Sequence, residues 1–289
     1  MTRADALLAL RQDLANVSEL GLQEDPGQLL RCSRDAYDYS PVLSAELEGA
    51  RAQLVSRPQS VAAVEQLAAA CTKHGVPLTV RGAGTGNYGQ CVPLEGGVVM
   101  LTTGLQRIRR FDPATGVVTV EPGCQMSSLD HELRRHHREL RLLPSTWRSA
   151  TVGGFVAGGS GGIGSIRWGF LRDPGHLLGL EIVPMTTDAR CCQLDEIEAE
   201  ALNHSYGTNG IITALTLSTA PAVNWHQVCI DCVDWTNAVA LLLACGRSAV
   251  SLQLATALEA PVLDRLPGWS GPATGQHRLL LLVAPDGLA

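Results

Sequence analysis

Three alternating glycines form the pattern with the most specific chemical meaning in this chain. Gly84, Gly86 and Gly89 follow an apolar segment, residues 76–80, and Arg81. A loop of this kind lets successive main-chain N–H groups face one anion, because no side chain stands in the way. The pattern therefore predicts a site for a diphosphate group, and an ordinary tight turn is the alternative that it leaves open.

The spacing G-x-G-x-x-G is also found in dinucleotide-binding folds, in which a helix begins directly after the glycine loop. Here the residues that follow contain Pro93 and the pair Gly96 and Gly97, which oppose a helix. The mechanism that uses a helix dipole is thus excluded. What remains is a concave arrangement of main-chain amides around the anion.

A second glycine-rich segment spans residues 150–164. Apolar side chains such as Val152, Phe155 and Ile163 alternate with its glycines, whereas a solvated linker would be rich in serine or charge. We expect the backbone of this segment to press against a flat or extended ligand. A flexible surface loop is the alternative.

Composition and charge narrow the class of protein. The 289 residues are 45% hydrophobic and 17% charged, which is the balance of a globular chain with a large core. A net charge of -6 offers no field to attract nucleic acid. No apolar run approaches the roughly 18 residues that span a bilayer, and the N-terminus predicts an amphipathic helix without a signal-peptide core. The nine cysteines imply no disulfide framework, so we expect a cytoplasmic protein.

The elements that position the first loop are well marked. Ser60 is a suitable N-cap for a helix that ends with Lys73, His74 and Gly75, and the helix leads into a strand at 76–80 and then into the loop. Beyond the loop, the periodicity predicts strands with several antiparallel pairings. Further strands are predicted at 53–55, 97–102, 107–111, 117–120, 178–183 and 211–217, and helices from Ser127 or Ser128 and around 196–204.

The last part of the chain predicts a small second domain. It contains a strand at 225–231, a helix at 236–245, a segment at 250–254, a short helix at 258–266 and a strand at 279–283. About 65 residues make a marginal domain. The expected division is a helical lead-in over 1–50, a main domain over 51–222 and an incomplete domain over 223–289.

Two metal-like spacings are set aside. His131 and His136 miss the spacing of a zinc-protease motif by one residue, which moves the second histidine off the shared helix face. Cys229 and Cys232, near His226, lie on a predicted strand and point to opposite faces. We therefore expect no metal site.

Several spaced blocks together resemble a known family. They lie at residues 56–64, 74–86, 93–99, 121–123, 144–145, 150–154 and 207–213, in consistent order over about residues 34–221. The series resembles the PCMH-type FAD-binding domain of the FAD-linked oxidase superfamily, and within it the glycolate oxidase and D-lactate dehydrogenase group. The resemblance implies an α+β fold of two packed α/β subdomains, followed here by a partial α+β cap.

The resemblance also implies which residues hold FAD. The first loop would wrap the diphosphate, residues 144–146 and 151–154 would line the flavin and ribityl region, residues 158–164 would lie along the cofactor, and residues 210–212 and 123 would approach the flavin. Thr85 stands where relatives with covalent FAD carry histidine, so noncovalent binding is expected. The implied FAD-binding residues are Arg81, Gly82, Ala83, Gly84, Thr85, Gly86, Asn87, Gly123, Pro144, Ser145, Thr146, Thr151, Gly153, Gly154, Ser160, Gly161, Gly210, Ile211 and Ile212.

The activity implied by the resemblance is oxidation of a small 2-hydroxy acid, such as glycolate or D-lactate, by hydride transfer to flavin N5. The substrate carboxylate needs a cation, for which Arg148, Arg167 and Arg172 are candidates, and the other catalytic residues are unassigned. The electron acceptor stays open among oxygen, quinone and an iron–sulfur subunit. An FAD-binding subunit with reduced or no catalysis, completed by a partner chain, is the alternative function, and glycine loops that bind nothing are a third.

Overall fold

The computed structural model describes residues 2–37, 40–159, 161–266 and 275–285. The chain forms two compact units. The first comprises Met1–Leu140, Thr146–Ser160 and Leu171–Ala220, and the second comprises Arg141–Ser145, Gly161–Phe170 and Pro221–Ala289. The expected divisions at residues 50/51 and 222/223 stay predictions.

Helices and strands are mixed along the chain, which confirms the predicted α+β class. The helices are α1 (Arg3–Leu14), α2 (Pro26–Cys32), α3 (Pro41–Glu46), α4 (Val61–His74), α5 (Met126–Arg134), α6 (Val152–Gly158), α7 (Ser165–Trp168), α8 (Glu196–Ala199), α9 (Trp235–Arg247) and α10 (Ala260–Leu263). The strands are β1 (Leu54–Ser56), β2 (Leu78–Arg81), β3 (Val98–Leu101), β4 (Ile108–Asp112), β5 (Val117–Val120), β6 (Arg138–Leu140), β7 (Leu177–Val183), β8 (Cys192–Asp195), β9 (Ile211–Pro221), β10 (His226–Cys232), β11 (Leu252–Leu258) and β12 (His277–Val283).

Helix α4 forms where the sequence predicts it. The Ser60 side chain accepts a hydrogen bond from the Ala63 N–H, and Gly75 ends the helix at a φ of 63°. This left-handed conformation favours glycine, which has no Cβ. Leu67 on the apolar face is fully buried in a core that also holds Leu10 and Leu14 of α1. The N-terminal helix is thus part of the first unit's core.

Strands β1, β3 and β2 form a three-stranded sheet in which β3 pairs in parallel with both neighbours. The sequence predicts several antiparallel pairings beyond the glycine loop, and the pairings of β3, the first strand there, are not among them. Residues 82–97 are long enough to return the chain to the start of the sheet, and a parallel pair requires such a crossover. Because parallel strands share one carboxyl edge, the glycine loop leaves the sheet at the edge where ligands bind in open parallel sheets.

The second sheet of this unit has the order β4-β5-β9-β7-β8, and β6 also pairs with β9. Its ladders are antiparallel where β4 meets β5, β5 meets β9 and β7 meets β9 and β8, as the sequence predicts for this part. The short strand β6 is not predicted by the sequence, since three residues give too little periodicity. Helix α8 ends at Ala199 and continues only as a 3-10 turn, Glu200–Leu202, instead of reaching 204. Helix α5 begins at Met126, before Ser127.

The second unit contains an antiparallel sheet of order β10-β12-β11. On β10, Cys229 is exposed and Cys232 is half-buried, so they alternate as the strand predicts. Among the described residues, no group of three or more His, Cys, Asp or Glu side chains could hold a metal ion. No helix in the same residues is long and apolar enough to cross a bilayer.

Replacing Leu67 by alanine tests the core between α1 and α4. Leu67→Ala leaves a cavity at a fully buried site, so we expect a loss of about 2–5 kcal/mol in the free energy of unfolding. Leu8→Ala is the matched control, because Leu8 on α1 is 55% exposed and its truncation costs no more than about 0.5 kcal/mol. Urea denaturation measures both. Equal losses would contradict the position of this core.

Candidate cofactor site

The first glycine loop carries a run of unpaired main-chain donors. Within the described residues, the N–H groups of residues 82–87 donate no hydrogen bond. The donors that follow are paired: the Tyr88 N–H donates to Gln90 Oε1 at 2.9 Å and the Gly89 N–H to Asp35 Oδ2 at 2.7 Å. Main-chain donors in a folded protein are nearly always satisfied by protein, water or ligand. Six successive donors therefore stand ready for an anion or for water.

The Arg81 side chain packs against the glycine loop that follows it. It is buried, and its Nη1 donates to the Cys91 main-chain oxygen at 3.3 Å and to Cys91 Sγ at 3.1 Å. A Cβ on Gly84, whose φ is +68°, would overlap the Arg81 guanidinium. The resemblance implies that Arg81 contacts the diphosphate, and this stays a prediction. In the structure, Arg81 Nη1 points toward Cys91. Its guanidinium lies against the Gly84 position of the loop.

Contacts with the N-terminal segment hold the far end of the loop. The Ala36 N–H donates to the Gly86 oxygen at 3.1 Å, and the Tyr37 N–H donates to Asn87 Oδ1 at 3.0 Å. Burial raises the pKa of the Cys91 thiol, and the nearby Arg81 charge acts in the opposite direction. Cys91 therefore accepts the hydrogen bond from Arg81 as an uncharged thiol. The loop is fixed without use of its own N–H groups.

The structure brings the two glycine-rich segments together. A Cβ on Gly82 would overlap Thr151 Oγ1 and would lie 3.6 Å from the Gly154 Cα. The absence of side chains at Gly82 and Gly154 therefore permits this close approach. Gly154 is exposed and Gly82 is half-buried, so the junction remains accessible.

The second segment is a helix at this point, which the sequence did not predict. Thr151 is the N-cap of α6, and its Oγ1 accepts from the Gly154 N–H at 3.3 Å. The Val152 and Gly153 N–H groups donate to the Cys124 and Pro122 oxygens, each at 2.9 Å. These donors are already paired. The second segment thus lets the two backbones pack closely, whereas the first segment supplies N–H groups that have no partner in the described residues.

Other implied FAD-binding residues have structural roles in the first unit. Gly123 is buried, its N–H donates to the Leu105 oxygen at 2.8 Å, and a Cβ there would overlap the Thr102 oxygen. Ile211 and Ile212 are buried and lie opposite Val183 and Ile182 in the β7–β9 ladder. These contacts explain the residues whether or not a ligand is bound.

The remaining implied residues are divided between the units. The Thr146 oxygen, in the first unit, accepts from the Ser149 and Ala150 N–H groups at 2.9 and 2.8 Å. Gly210, also in the first unit, has a φ of +140°. Pro144, Ser145 and Gly161 belong to the second unit. Ser160 lies outside the described residues.

Glycines 162 and 164, expected along the cofactor, lie in the second unit. A Cβ on Gly162 would overlap the Leu143 oxygen, and one on Gly164 would overlap the Arg141 oxygen. Both residues have positive φ, 150° and 102°. Their lack of a side chain is thus explained by close approach between backbones.

Two residues near the site were missed by the sequence reasoning. His204 and Tyr206 adopt φ values of +61° and +53°, which non-glycine residues rarely do. Their N–H groups donate to the Val156 and Ala157 oxygens of α6 at 3.0 and 2.9 Å, and His204 Nε2 lies 2.9 Å from the Tyr206 hydroxyl. Strained backbone of this kind is concentrated at functional sites. The sequence contains no pattern that predicts a positive φ at His204 or Tyr206.

The three candidate arginines for a carboxylate lie in different surroundings. The Arg148 guanidinium is 5.7 Å from the ring of its neighbour Trp147. Arg172 is exposed. Arg167, in the second unit, lies 5.2 Å from the Trp168 ring and 5.5 Å from the Trp225 ring. Only the last of these three is held by two aromatic faces in the described part of the chain.

Comparison with known proteins gives one family and several relatives. Residues 52–188 match the model of a family described as FAD binding domain. The chain is similar to a probable mitochondrial D-2-hydroxyglutarate dehydrogenase of Oryza sativa, at 28% identity over 68% of this chain and 36% of that protein. It is also similar to the glycolate oxidase subunit GlcD of Escherichia coli, at 25% identity over 76% of this chain and 42% of that protein. An uncharacterized FAD-linked oxidoreductase of Mycobacterium tuberculosis is 26% identical over 80% of this chain and 50% of that protein.

Solved structures share the fold. A structure of alkyldihydroxyacetonephosphate synthase superposes with a TM-score of 0.81 at 16% identity, over 99% of this chain and 57% of that one. At this identity the likeness concerns the fold alone. The chain spans about a third to a half of the length of the curated relatives it matches.

A double-mutant cycle tests the junction of the two glycine segments. Gly82→Ala places a methyl group on Thr151 Oγ1, so we expect a cost of about 1–3 kcal/mol in the free energy of unfolding. In a Thr151→Ala background the overlap is absent, and the cost of Gly82→Ala should fall by at least about 1 kcal/mol. Urea denaturation of the four proteins measures this coupling.

Thr151→Ser is the control background, since it keeps the oxygen that caps α6. There we expect the full cost of Gly82→Ala to remain. Additive costs in the Thr151→Ala background would show that the two segments do not touch.

Proposed function

We propose that this chain, whose residues 52–188 match the model of a family described as FAD binding domain, belongs to the FAD-linked oxidase superfamily, binds FAD noncovalently and oxidises a small 2-hydroxy acid. The observation that carries the proposal is the run of unpaired N–H donors at residues 82–87 beside the accessible junction of Gly82 and Gly154. A diphosphate supplies acceptors for such donors, and a flat ligand suits a surface without side chains.

The residues of the loop would hold the diphosphate in two ways. Hydrogen bonds from the N–H groups of residues 82–87 to charged oxygens contribute about 1.5–3 kcal/mol each, net of the hydrogen bonds to water that they replace. The positive charge of the buried Arg81 also attracts an anion, although its Nη1 donates to Cys91. FAD, when bound, supplies the hydride acceptor of the reaction. The protein's task at this loop is binding and orientation.

Noncovalent binding is the finer part of the cofactor proposal. Thr85 lies within the loop and has no group that forms a stable bond to a flavin. The thiol nearest to the loop floor, Cys91, is buried against Arg81. Neither residue presents an imidazole ring or an accessible thiol to a bound flavin.

The substrate class rests on the relatives. Two proteins to which the chain is similar are named for D-2-hydroxyglutarate and for glycolate, and both compounds are 2-hydroxy acids. Glycolate and D-lactate are the small members of this class that we propose to test first. Oxidation of such an acid also needs a base for the hydroxyl proton, and no described residue is assigned that role.

A second candidate function is that of an FAD-binding subunit completed by a partner chain. It is favoured by the relative that is itself named as a subunit, the glycolate oxidase subunit GlcD of Escherichia coli. Such a partner would accept electrons, for example through an iron–sulfur centre. The nine free cysteines suit a reducing compartment, and we propose the cytoplasm.

Flavin binding is the first test of the proposal. The purified protein, reconstituted with FAD, should absorb near 450 nm, and acid precipitation should release the yellow colour into the supernatant. Gly84→Ala should raise the Kd for FAD at least tenfold, or about 1.4 kcal/mol, because the new Cβ overlaps Arg81 beneath the amides.

Gly75→Ala is the matched control for backbone strain. Gly75 also has a positive φ, but it lies in open space at the other end of β2. We expect its Kd for FAD to match that of the unaltered protein. A protein that cannot be reconstituted, or a Gly75 variant that loses FAD as Gly84→Ala does, contradicts the assignment of the loop.

Catalysis is tested separately by anaerobic mixing of the FAD-loaded protein with glycolate, D-lactate or D-2-hydroxyglutarate. An oxidoreductase for this class should lose absorbance near 450 nm, because the flavin takes up two electrons from the acid. Dithionite gives the full amplitude as a reference. Retained FAD without bleaching by any of these acids would favour the subunit function.

A further inference from the structure

The side-chain amide of Gln90 has a fixed orientation at the end of the glycine loop. Its Oε1 accepts from the Tyr88 main-chain N–H at 2.9 Å. Because an N–H group donates only to the oxygen of an amide, this bond decides which end of the Gln90 amide is the nitrogen. The two N–H donors of Nε2 therefore point away from the Tyr88 N–H. They have no acceptor among the described residues, and Gln90 is only half-buried.

The same amide packs against Gly86. A Cβ on Gly86 would lie 2.5 Å from Gln90 Nε2 and 2.8 Å from Gln90 Cδ. Gly86 does not have a positive φ, so its backbone conformation does not require glycine. The missing side chain at this position is explained by the close approach of the Gln90 amide. Nε2 thus lies directly beside the run of unpaired N–H groups at residues 82–87.

The turn that carries Gln90 is held on both sides of this residue. Before it, the Gly89 N–H donates to Asp35 Oδ2 at 2.7 Å. After it, Arg81 Nη1 donates to the Cys91 oxygen at 3.3 Å. All of these residues belong to the first unit. Because the neighbours of Gln90 are fixed, its amide is restrained at the loop.

We infer that Gln90 is a side-chain donor for the anion that the glycine loop binds, with Nε2 donating to a diphosphate oxygen beside Gly86. The inference rests on the proposed function and adds a binding residue to the main-chain amides of residues 82–87. A main-chain loop offers one N–H group per residue, whereas the Gln90 amide offers two donors at the end of the run. The Tyr88 N–H has the role of orienting that amide.

Gln90→Glu separates the two roles of the amide. Glutamate keeps an oxygen that accepts from the Tyr88 N–H, but it replaces both donors with a second, negatively charged oxygen. We therefore expect the Kd for FAD to rise about ten- to a hundredfold, since a hydrogen bond to a charged group is lost and a like charge is added. The urea midpoint of the FAD-free variant should not fall, because the bond to Tyr88 remains. Flavin fluorescence measures the Kd.

Gln66→Glu is the matched control for the added charge. Gln66 is exposed in the middle of α4, and the change is chemically the same. We expect this variant to bind FAD as the unaltered protein does. Equal binding of FAD by the Gln66→Glu and Gln90→Glu variants would overturn the inference. So would a weakened Gln90→Glu variant with a urea midpoint below that of Gln66→Glu, because a purely structural role would then explain the loss.

A second cycle tests where the amide lies. Gly86→Ala displaces the Gln90 amide, so the Kd for FAD should rise about tenfold. In a Gln90→Ala background the donor is already absent, and the same change should cost less than about threefold. Equal costs in the two backgrounds would contradict the contact on which the inference depends.

Inorganic pyrophosphate separates the anion site from the flavin. Titrated calorimetrically into the FAD-free full chain, it should bind, and at least about tenfold more weakly in Gln90→Glu. Pyrophosphate binding that depends on Gln90, in a protein that does not retain FAD, would support the inference while the proposed function fails. FAD binding that is unchanged in Gln90→Glu would overturn the inference and leave the proposed function intact. Absence of binding by either ligand would overturn both.

Discussion

The unpaired N–H groups at residues 82–87 are the constraint on which the first unit's binding surface depends. A folded chain normally provides an acceptor for each such donor, since an unmet one is costly when water is excluded. Here the acceptors that lie close are committed elsewhere: Gln90 and Asp35 accept from Tyr88 and Gly89. The loop is held by contacts that do not use its own N–H groups, such as those from the Ala36 and Tyr37 N–H groups. That arrangement leaves the amides for an anion.

The two glycine-rich segments serve different physical purposes. In the first, glycine removes side chains in front of free donors, and at Gly84 it also provides a left-handed turn above Arg81. In the second, Gly153 packs against Pro122, and Thr151 caps α6, so the donors are already used. Glycine content alone therefore does not identify the residues that bind phosphate. These residues are identified by whether each main-chain N–H group already has a hydrogen-bond acceptor.

The part of the proposed chemistry that has structural support lies in the first unit. That unit holds the loop that would bind a diphosphate, and the loop is described by contacts within the same unit. The relatives extend over two to three times the matched length, so whole-protein activity stays a proposal, and residues 52–188 match the model of a family described as FAD binding domain.

Local patterns in the sequence determined a large part of the fold. Helix α4 follows from Ser60 and Gly75, most strands follow from their apolar periodicity, and the glycine loop follows from its spacing. Tertiary structure alone decided that β3 pairs in parallel, that Thr151 begins a helix and that Arg81 turns toward Cys91. The reason is physical: a cap or an amphipathic face depends on residues within a few positions. The acceptor that an N–H group finds depends on residues brought from far along the chain.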